Sequence, residues 1–349
     1  MGITIPNYPK IELKNYLLEL VDEKEGKENS IYLNDISGII KQIWNDIVKN
    51  NWKEVNVREF IPKNLGIIYS GIYAYKNGRK AISIQMLYKL LILWGKYCNK
   101  TKKDVESKWN EIFNSNFSLS THNKCQKVVL PKFISPKLSY LMGWLCGDGH
   151  FSDSGNHYIV KISEKSTKQL WFVLKPLIKE LFNLDAPIFK RYMNGYAVQF
   201  GSKPILRFLK NVLKISVGKI PSIIKNMDGV NKRYFLMGIF DSEGSINEDY
   251  MNSAIVITQA KKEFLIEVSE ISKEIGVNFN KICFNKNLLG EWYTLRIRKK
   301  SEILKFSKLI NSCHIDKSRK IQNLVRKIEK NGYCRTTIAL RTCPILVTQ

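Results

Sequence analysis

Leu138–Gly149 reads Leu-Ser-Tyr-Leu-Met-Gly-Trp-Leu-Cys-Gly-Asp-Gly, and Arg233–Gly244 repeats its pattern as Arg-Tyr-Phe-Leu-Met-Gly-Ile-Phe-Asp-Ser-Glu-Gly. In register, Leu141-Met142-Gly143 lies over Leu236-Met237-Gly238, Gly147 over Ser242, Asp148 over Glu243 and Gly149 over Gly244. Each copy reads as an apolar helix with small residues four apart, an acid in its last turn and a glycine stop. An internal repeat outranks a single motif as a guide to architecture.

Gly143 and Gly147, like Gly238 and Ser242, fall on one helix face because residues four apart are neighbours. Glycine inside a helix costs about 1 kcal/mol against alanine. The missing side chains therefore imply close approach of a second helix, and the second copy supplies it. Asp148 and Glu243 lie at the negative end of the helix dipole, which disfavours a carboxylate by about 0.3–1 kcal/mol. Helices crossing through their small faces bring these acids together and add mutual repulsion. A divalent cation between them removes both penalties, so the pair reads as metal ligands. Asp241 lies roughly 200° around the helix from Glu243 and reads as a polar helix-end residue facing elsewhere.

These stretches resemble the paired motifs of LAGLIDADG homing endonucleases of the dodecapeptide (DOD) branch. The signature falls on Leu141–Gly149 and Leu236–Gly244, and the similarity runs over about residues 137–330. The resemblance implies an α+β fold of two pseudo-symmetric repeats, with saddle-shaped antiparallel sheets straddling double-stranded DNA. It also implies hydrolysis of both strands at a specific site, with Mg2+ (or Mn2+ in its place) held by Asp148 and Glu243. Glu243 in place of Asp, and Cys146-Gly147 ahead of the first acid, depart from the pattern without touching the acidic position. Val217-Gly218-Lys219-Ile220-Pro221 resembles the branch's Lys-x-Ile-Pro element, whose lysine lies near the scissile phosphate. That implies a catalytic Lys219, with Lys317 as its counterpart after the second repeat. Gln259, ending a strand behind the second motif, is placed to orient a water. An intron RNA maturase on the same fold and a silent DNA-binding regulator are the alternatives, and intact acids weigh against the regulator. Met1 in place of a nucleophilic Cys or Ser, and Val347-Thr348-Gln349 in place of His-Asn, set the expectation against an intein.

Charge points to the same partner class. The 349 residues carry 56 Lys+Arg against 31 Asp+Glu, a formal charge of +25. Such an excess favours a polyanion over small acidic substrates. It is uneven: residues 1–130 hold 20 basic and 13 acidic side chains, leaving 36 against 18 for the remainder. The start of the chain reads without the basic head and apolar run of a secretory signal, and no apolar run reaches membrane-spanning length, so neither is expected. Seven cysteines without a Cys-x-x-Cys pair suggest reduced thiols rather than a zinc site. The expectation is a monomeric, intracellular, cytoplasmic and nucleoid-associated protein.

Around this repeat the chain divides into four regions: a helical N-terminal domain over residues 1–130, repeats over 131–232 and 233–330, and a tail over 331–349. In the first, Ile31–Val48 has helical spacing. Val57–Lys80 reads as a helix-turn-helix around Gly66, with Pro62 as an irregularity. Tyr69, Ser70, Tyr73, Lys76 and Arg79 would then face DNA. Asn114–Gln126 is polar and reads as a linker. In the repeats, matching strands are expected at Tyr158–Ser163 and Ala254–Gln259, and at Tyr196–Gly201 and Trp292–Arg298. Strand alternation puts Thr294, Arg296 and Arg298 on one face as DNA-contact candidates, with Lys161 and Gln199 as their counterparts.

Overall fold

The computed structural model describes residues 11–21, 30–51, 57–121, 126–154, 157–191, 195–288 and 290–330. The tail expected over residues 331–349 lies outside them.

The two motif stretches form helices at Pro136–Asp148 and Gly229–Glu243. Ser135 caps the first by accepting from the Leu138 N–H, and Pro136 occupies a first-turn position that needs no donor. Asp228 caps the second by accepting from the Val230 and Asn231 N–H groups at 2.8 and 2.9 Å. Both helices are buried on nearly every side, because each packs on the other and on its own sheet.

They cross at the paired glycines. A Cβ on Gly143 would clash with the Phe235 carbonyl and stand 2.8 Å from the Ile239 nitrogen. A Cβ on Gly238 would clash with the Tyr140 carbonyl and stand 2.9 Å from the Trp144 nitrogen. The near-identical numbers are those of a pseudo-two-fold contact of backbone on backbone.

Each helix leads into a four-stranded antiparallel sheet of the same topology. The first runs Gly149–Ser154, His157–Glu164, Tyr196–Phe200, Ile188–Lys190 in spatial order; the second runs Gly244–Asn247, Ala254–Gln259, Gly290–Ile297, Cys283–Asn287. Register matches too: Gly149 faces Ile162 as Gly244 faces Ile257, and Glu164 faces Tyr196 as Gln259 faces Tyr293. Val160, Ile162, Val198 and Phe200 in one sheet, and Ile255, Ile257, Leu295 and Ile297 in the other, are buried. Helices flank both sheets, among them Lys262–Glu274, Lys300–Leu309 and Ile315–Lys330. The fold is α+β with two pseudo-symmetric repeats.

The N-terminal region departs from the all-helical expectation. Helices at Ser37–Asn51, Val57–Leu65, Tyr69–Lys76, Ile84–Tyr97 and Lys102–Asn114 accompany a small sheet of Ile82–Ser83, Tyr32–Asn34 and Ser118–Ser120. Tyr32–Asn34 therefore belongs to a strand and not to the helix expected from Ile31. The chain turns at Asp35, with φ 70°, before the helix begins. Ser118–Ser120 likewise lies inside the expected linker but pairs with Tyr32–Asn34. Strands this short carry no readable period. The region is also tied to the first repeat: Ile11–Glu12 pairs with Phe133–Ile134, and Tyr16 packs between Phe113 and Phe208 at centroid distances of 5.0 and 5.1 Å.

Among the described residues no helix is long and apolar enough to cross a membrane. Among the described residues Cys98, Cys146 and Cys283 are free thiols.

Candidate active site

The motif helices stay close to their ends. A Cβ on Gly147 would clash with the Ser242 hydroxyl and lie 2.9 Å from Glu243 Cγ, so the final turns carrying Asp148 and Glu243 abut. The Gln259 Nε2–H donates to Glu243 Oε1 at 2.9 Å, while Gln259 Oε1 accepts from the Ala260 N–H at 2.8 Å. Burial, and secondarily the charge of Asp148, push the Glu243 carboxyl up to about 7, against Lys317 and Gln259. Asp148 is exposed at the mouth of a cleft. The cleft walls still desolvate its carboxyl enough to raise its pKa, helped by the charge of Glu164 and opposed by Lys317. Two carboxyls thus meet where neither is comfortable as a bare anion.

The helix ends are finished differently. In the first, the Cys146 carbonyl accepts from the Gly218 N–H at 2.8 Å, and Gly218 (φ 66°) takes a left-handed turn suited to glycine. In the second, the Lys317 ammonium donates to the carbonyls of Phe240, Asp241 and Ser242 at 3.1, 2.6 and 3.2 Å. It satisfies groups that every helix C-terminus leaves open. Burial lowers the Lys317 pKa, and the surrounding carboxylates oppose that.

Asp241 does face away from Glu243, but as an anchor and not as a loose polar end. It is fully buried and accepts from the Tyr140 hydroxyl at 2.7 Å, the Ser312 hydroxyl, and the Cys313 and His314 N–H groups at 2.9 and 3.0 Å. It thereby clamps the segment that carries Lys317 onto both motif helices.

Several residues went unread in the sequence. Glu164 lies fifteen residues beyond its motif glycine, as does Gln259, and that equal spacing was the available signal. Its Oε1 accepts from the Lys165 and Ser166 N–H groups at 2.6 and 3.1 Å, and its Oε2 stands 3.4 Å from His314 Nε2. These donors outweigh burial and hold its carboxyl below the usual range. Lys165, Glu164 and His314 line, with Asp148, Arg191 and Lys317, a cleft of about 520 Å³. Lys261 extends its ammonium toward the Val217 carbonyl at 3.4 Å, alongside the loop that carries the exposed Lys219.

On the first sheet Lys161 and Gln199 pair across adjacent strands, and the Lys161 ammonium sits 5.4 Å over the Phe189 ring. On the second, Arg298 is exposed and Arg296 half-buried, with an Nε that finds no partner among the described residues. Thr294 shares their strand face but is buried, its hydroxyl accepting from Asn285 Nδ2 at 3.2 Å; the neighbouring strand covers it, so it is not offered to a ligand. Far from this centre, Gly66 (φ 67°) separates Val57–Leu65 from Tyr69–Lys76. Tyr69, Ser70, Tyr73 and Arg79 are exposed there, and Lys76 lies 5.2 Å over the Trp44 ring.

Residues 231–311 match the model of the LAGLIDADG-like domain. The glutamine–fructose-6-phosphate aminotransferase (isomerizing) of Methanocaldococcus jannaschii is 24% identical over 220 residues, covering 61% of this chain and 20% of that protein. The chain thus spans about a fifth of the length of that curated relative. Among solved structures, I-DmoI in complex with DNA and Mn is 25% identical, with a TM-score of 0.41, over 52% of this chain and 99% of that one. Full-length DUF199/WhiA from Thermatoga maritima is 17% identical, with a TM-score of 0.41, over 60% and 65%.

Proposed function

We propose that this chain is a site-specific DNA endonuclease of the LAGLIDADG type that cuts both strands with a divalent cation. The observation that carries this reading is the meeting of Asp148 and Glu243 at abutting helix ends, both carboxyls disfavoured as bare anions. The donors suit a hard cation: they are carboxylate oxygens, without thiolate or imidazole in the pair. No group of three His, Cys, Asp or Glu converges on a metal position among the described residues. A cation here would take its remaining ligands from water and phosphate, a pattern that suits Mg2+. When bound it would supply Lewis-acid stabilisation of charge on the phosphoryl oxygens.

The protein's own residues supply the rest. Gln259 fixes the rotamer of Glu243. Lys317 offsets the negative charge at the second helix end. Lys219, exposed on the Val217–Ile220 loop beside the first helix end, is free to meet a phosphate. Lys161, Gln199, Arg296 and Arg298 read as strand-face contacts to the duplex. Tyr69, Ser70, Tyr73, Lys76 and Arg79 read as an added contact from the N-terminal domain, over residues 1–130. The experiment is incubation of the full-length protein with a genomic DNA library and Mg2+, followed by mapping of ends. Paired breaks at one recurrent sequence are expected. Duplex binding without breaks in Mg2+ or Mn2+ would leave a DNA-binding protein and remove the nuclease.

A further inference from the structure

The two half-sites share a backbone but not a charge. Glu164 and Gln259 occupy one position in the pseudo-symmetry, each at the end of its strand and opposite a tyrosine, Tyr196 or Tyr293. Gln259 is neutral and spends its amide on Glu243. Glu164 is a carboxylate that cannot donate to Asp148. It is pinned instead by two backbone N–H groups and faces His314. His314 is buried and held in turn, its ring Nδ1 accepting from the Lys317 backbone N–H at 3.5 Å and its backbone N–H donating to Asp241. Glu164 therefore has no freedom to swing out of the cleft.

The geometry points to Glu164 as the residue that makes seating of one DNA strand depend on a cation, while the strand at the Gln259 half-site seats without one. This inference rests on the nuclease reading above. A phosphate entering the first half-site meets Glu164 in addition to the abutting acids Asp148 and Glu243. One entering the second meets the same acids but finds the neutral Gln259 in the place of Glu164. Lys165, Arg191 and Lys317 also line the first cleft and draw phosphate in. Yet Lys317 is committed to three carbonyls, and Arg191 Nη1 donates to the Ser163 hydroxyl at 2.6 Å. A fixed negative charge near an incoming phosphate is repulsive at any dielectric, and a cation placed between them reverses the sign.

The test compares full-length wild-type protein with Glu164→Gln and Gln259→Glu. The probe is a fluorescein-labelled duplex selected from a random-sequence library for binding to the wild type in Ca2+. Affinity is measured in EDTA and again in Ca2+, with a thermal melt of each variant as a control for folding. In EDTA, Glu164→Gln should bind roughly threefold tighter or more and Gln259→Glu correspondingly looser, as expected for one like charge at close range through water. In Ca2+ both differences should shrink. Strand-specific labelling in Mg2+ should show Glu164→Gln lowering the cation midpoint for cleavage of one strand only. Equal EDTA affinities of wild type and Glu164→Gln overturn the inference and leave the nuclease reading standing. Weaker binding of Glu164→Gln in both media also overturns it, since that is the signature of a structural prop. A wild type that selects no duplex at all removes both.

Discussion

The first and second repeats match in topology and register, yet they end their motif helices by different means. The first closes on a backbone N–H from the Gly218 turn; the second closes on the Lys317 side chain, itself locked by Asp241. Pseudo-symmetry here is a property of the backbone crossing, where two glycines leave no room for variation. It relaxes towards the helix ends, where hydrogen-bond demand can be met by any donor. The crossing fixes where the acids meet, and the surroundings set how each acid behaves.

The largest effect should come from breaking the part that is symmetric. Gly143→Leu and Gly238→Leu each drive a side chain into the partner's backbone, beyond the roughly 1–3 kcal/mol of ordinary overpacking. Both variants should lose cooperative thermal unfolding. A melt preserved in one of them would show that the crossing is not the mutual contact described here. Next in size, Asp148→Asn and Glu243→Gln should each lower cleavage by more than about a hundredfold, since a bound cation contributes several kcal/mol. Duplex binding should persist. Retained cleavage in the double variant would move the active site elsewhere.

The asymmetric part makes smaller predictions. Lys317→Met removes a charged donor from three carbonyls and should cost about 2–3 kcal/mol of stability. Lys219→Met, on an exposed loop, should leave the melting temperature unchanged while slowing cleavage. Equal melting shifts in denaturation experiments would mean that the two lysines contribute alike to the fold.

Ionisation separates the acids further. Glu243 has a folded pKa of about 7 against an ordinary 4.5, so its contribution to stability is fully present below the lower value. That contribution is lost as pH rises through the upper one. Without divalent cation, wild type should therefore weaken relative to Glu243→Gln across that window, by on the order of 2 kcal/mol after discounting for solvent. A pH-independent gap between the two melting curves would remove that account of Glu243.

The smallest effect concerns the N-terminal region. Removing residues 1–130 should lower the salt dependence of duplex binding by about 0.9 in slope for each phosphate that this region neutralises. It should also destabilise the remainder, because Tyr16 covers Phe208. An unchanged slope would leave the region a packing element only.

Whatever repeats or is periodic could be read from the chain before it folds. The doubled motif located the helix pair, its glycines predicted a close crossing, and the in-register acids predicted a meeting point. Alternation placed Ala254–Gln259 at its observed bounds. Which polar groups pair emerged only in the folded molecule. Asp241 looked incidental because its four donors come from Tyr140 and from a segment some seventy residues away. Lys317 looked only like a counterpart of Lys219 because nothing local shows that it ends a helix lying far back in the chain. Thr294 looked available because alternation reports a side chain's face and not what covers that face. The strands Tyr32–Asn34 and Ser118–Ser120 were hidden for a related reason: so short a segment acquires its structure from a distant partner and not from its own pattern. Backbone geometry is written in local periodicity, whereas hydrogen-bond satisfaction is settled only when distant segments have come together.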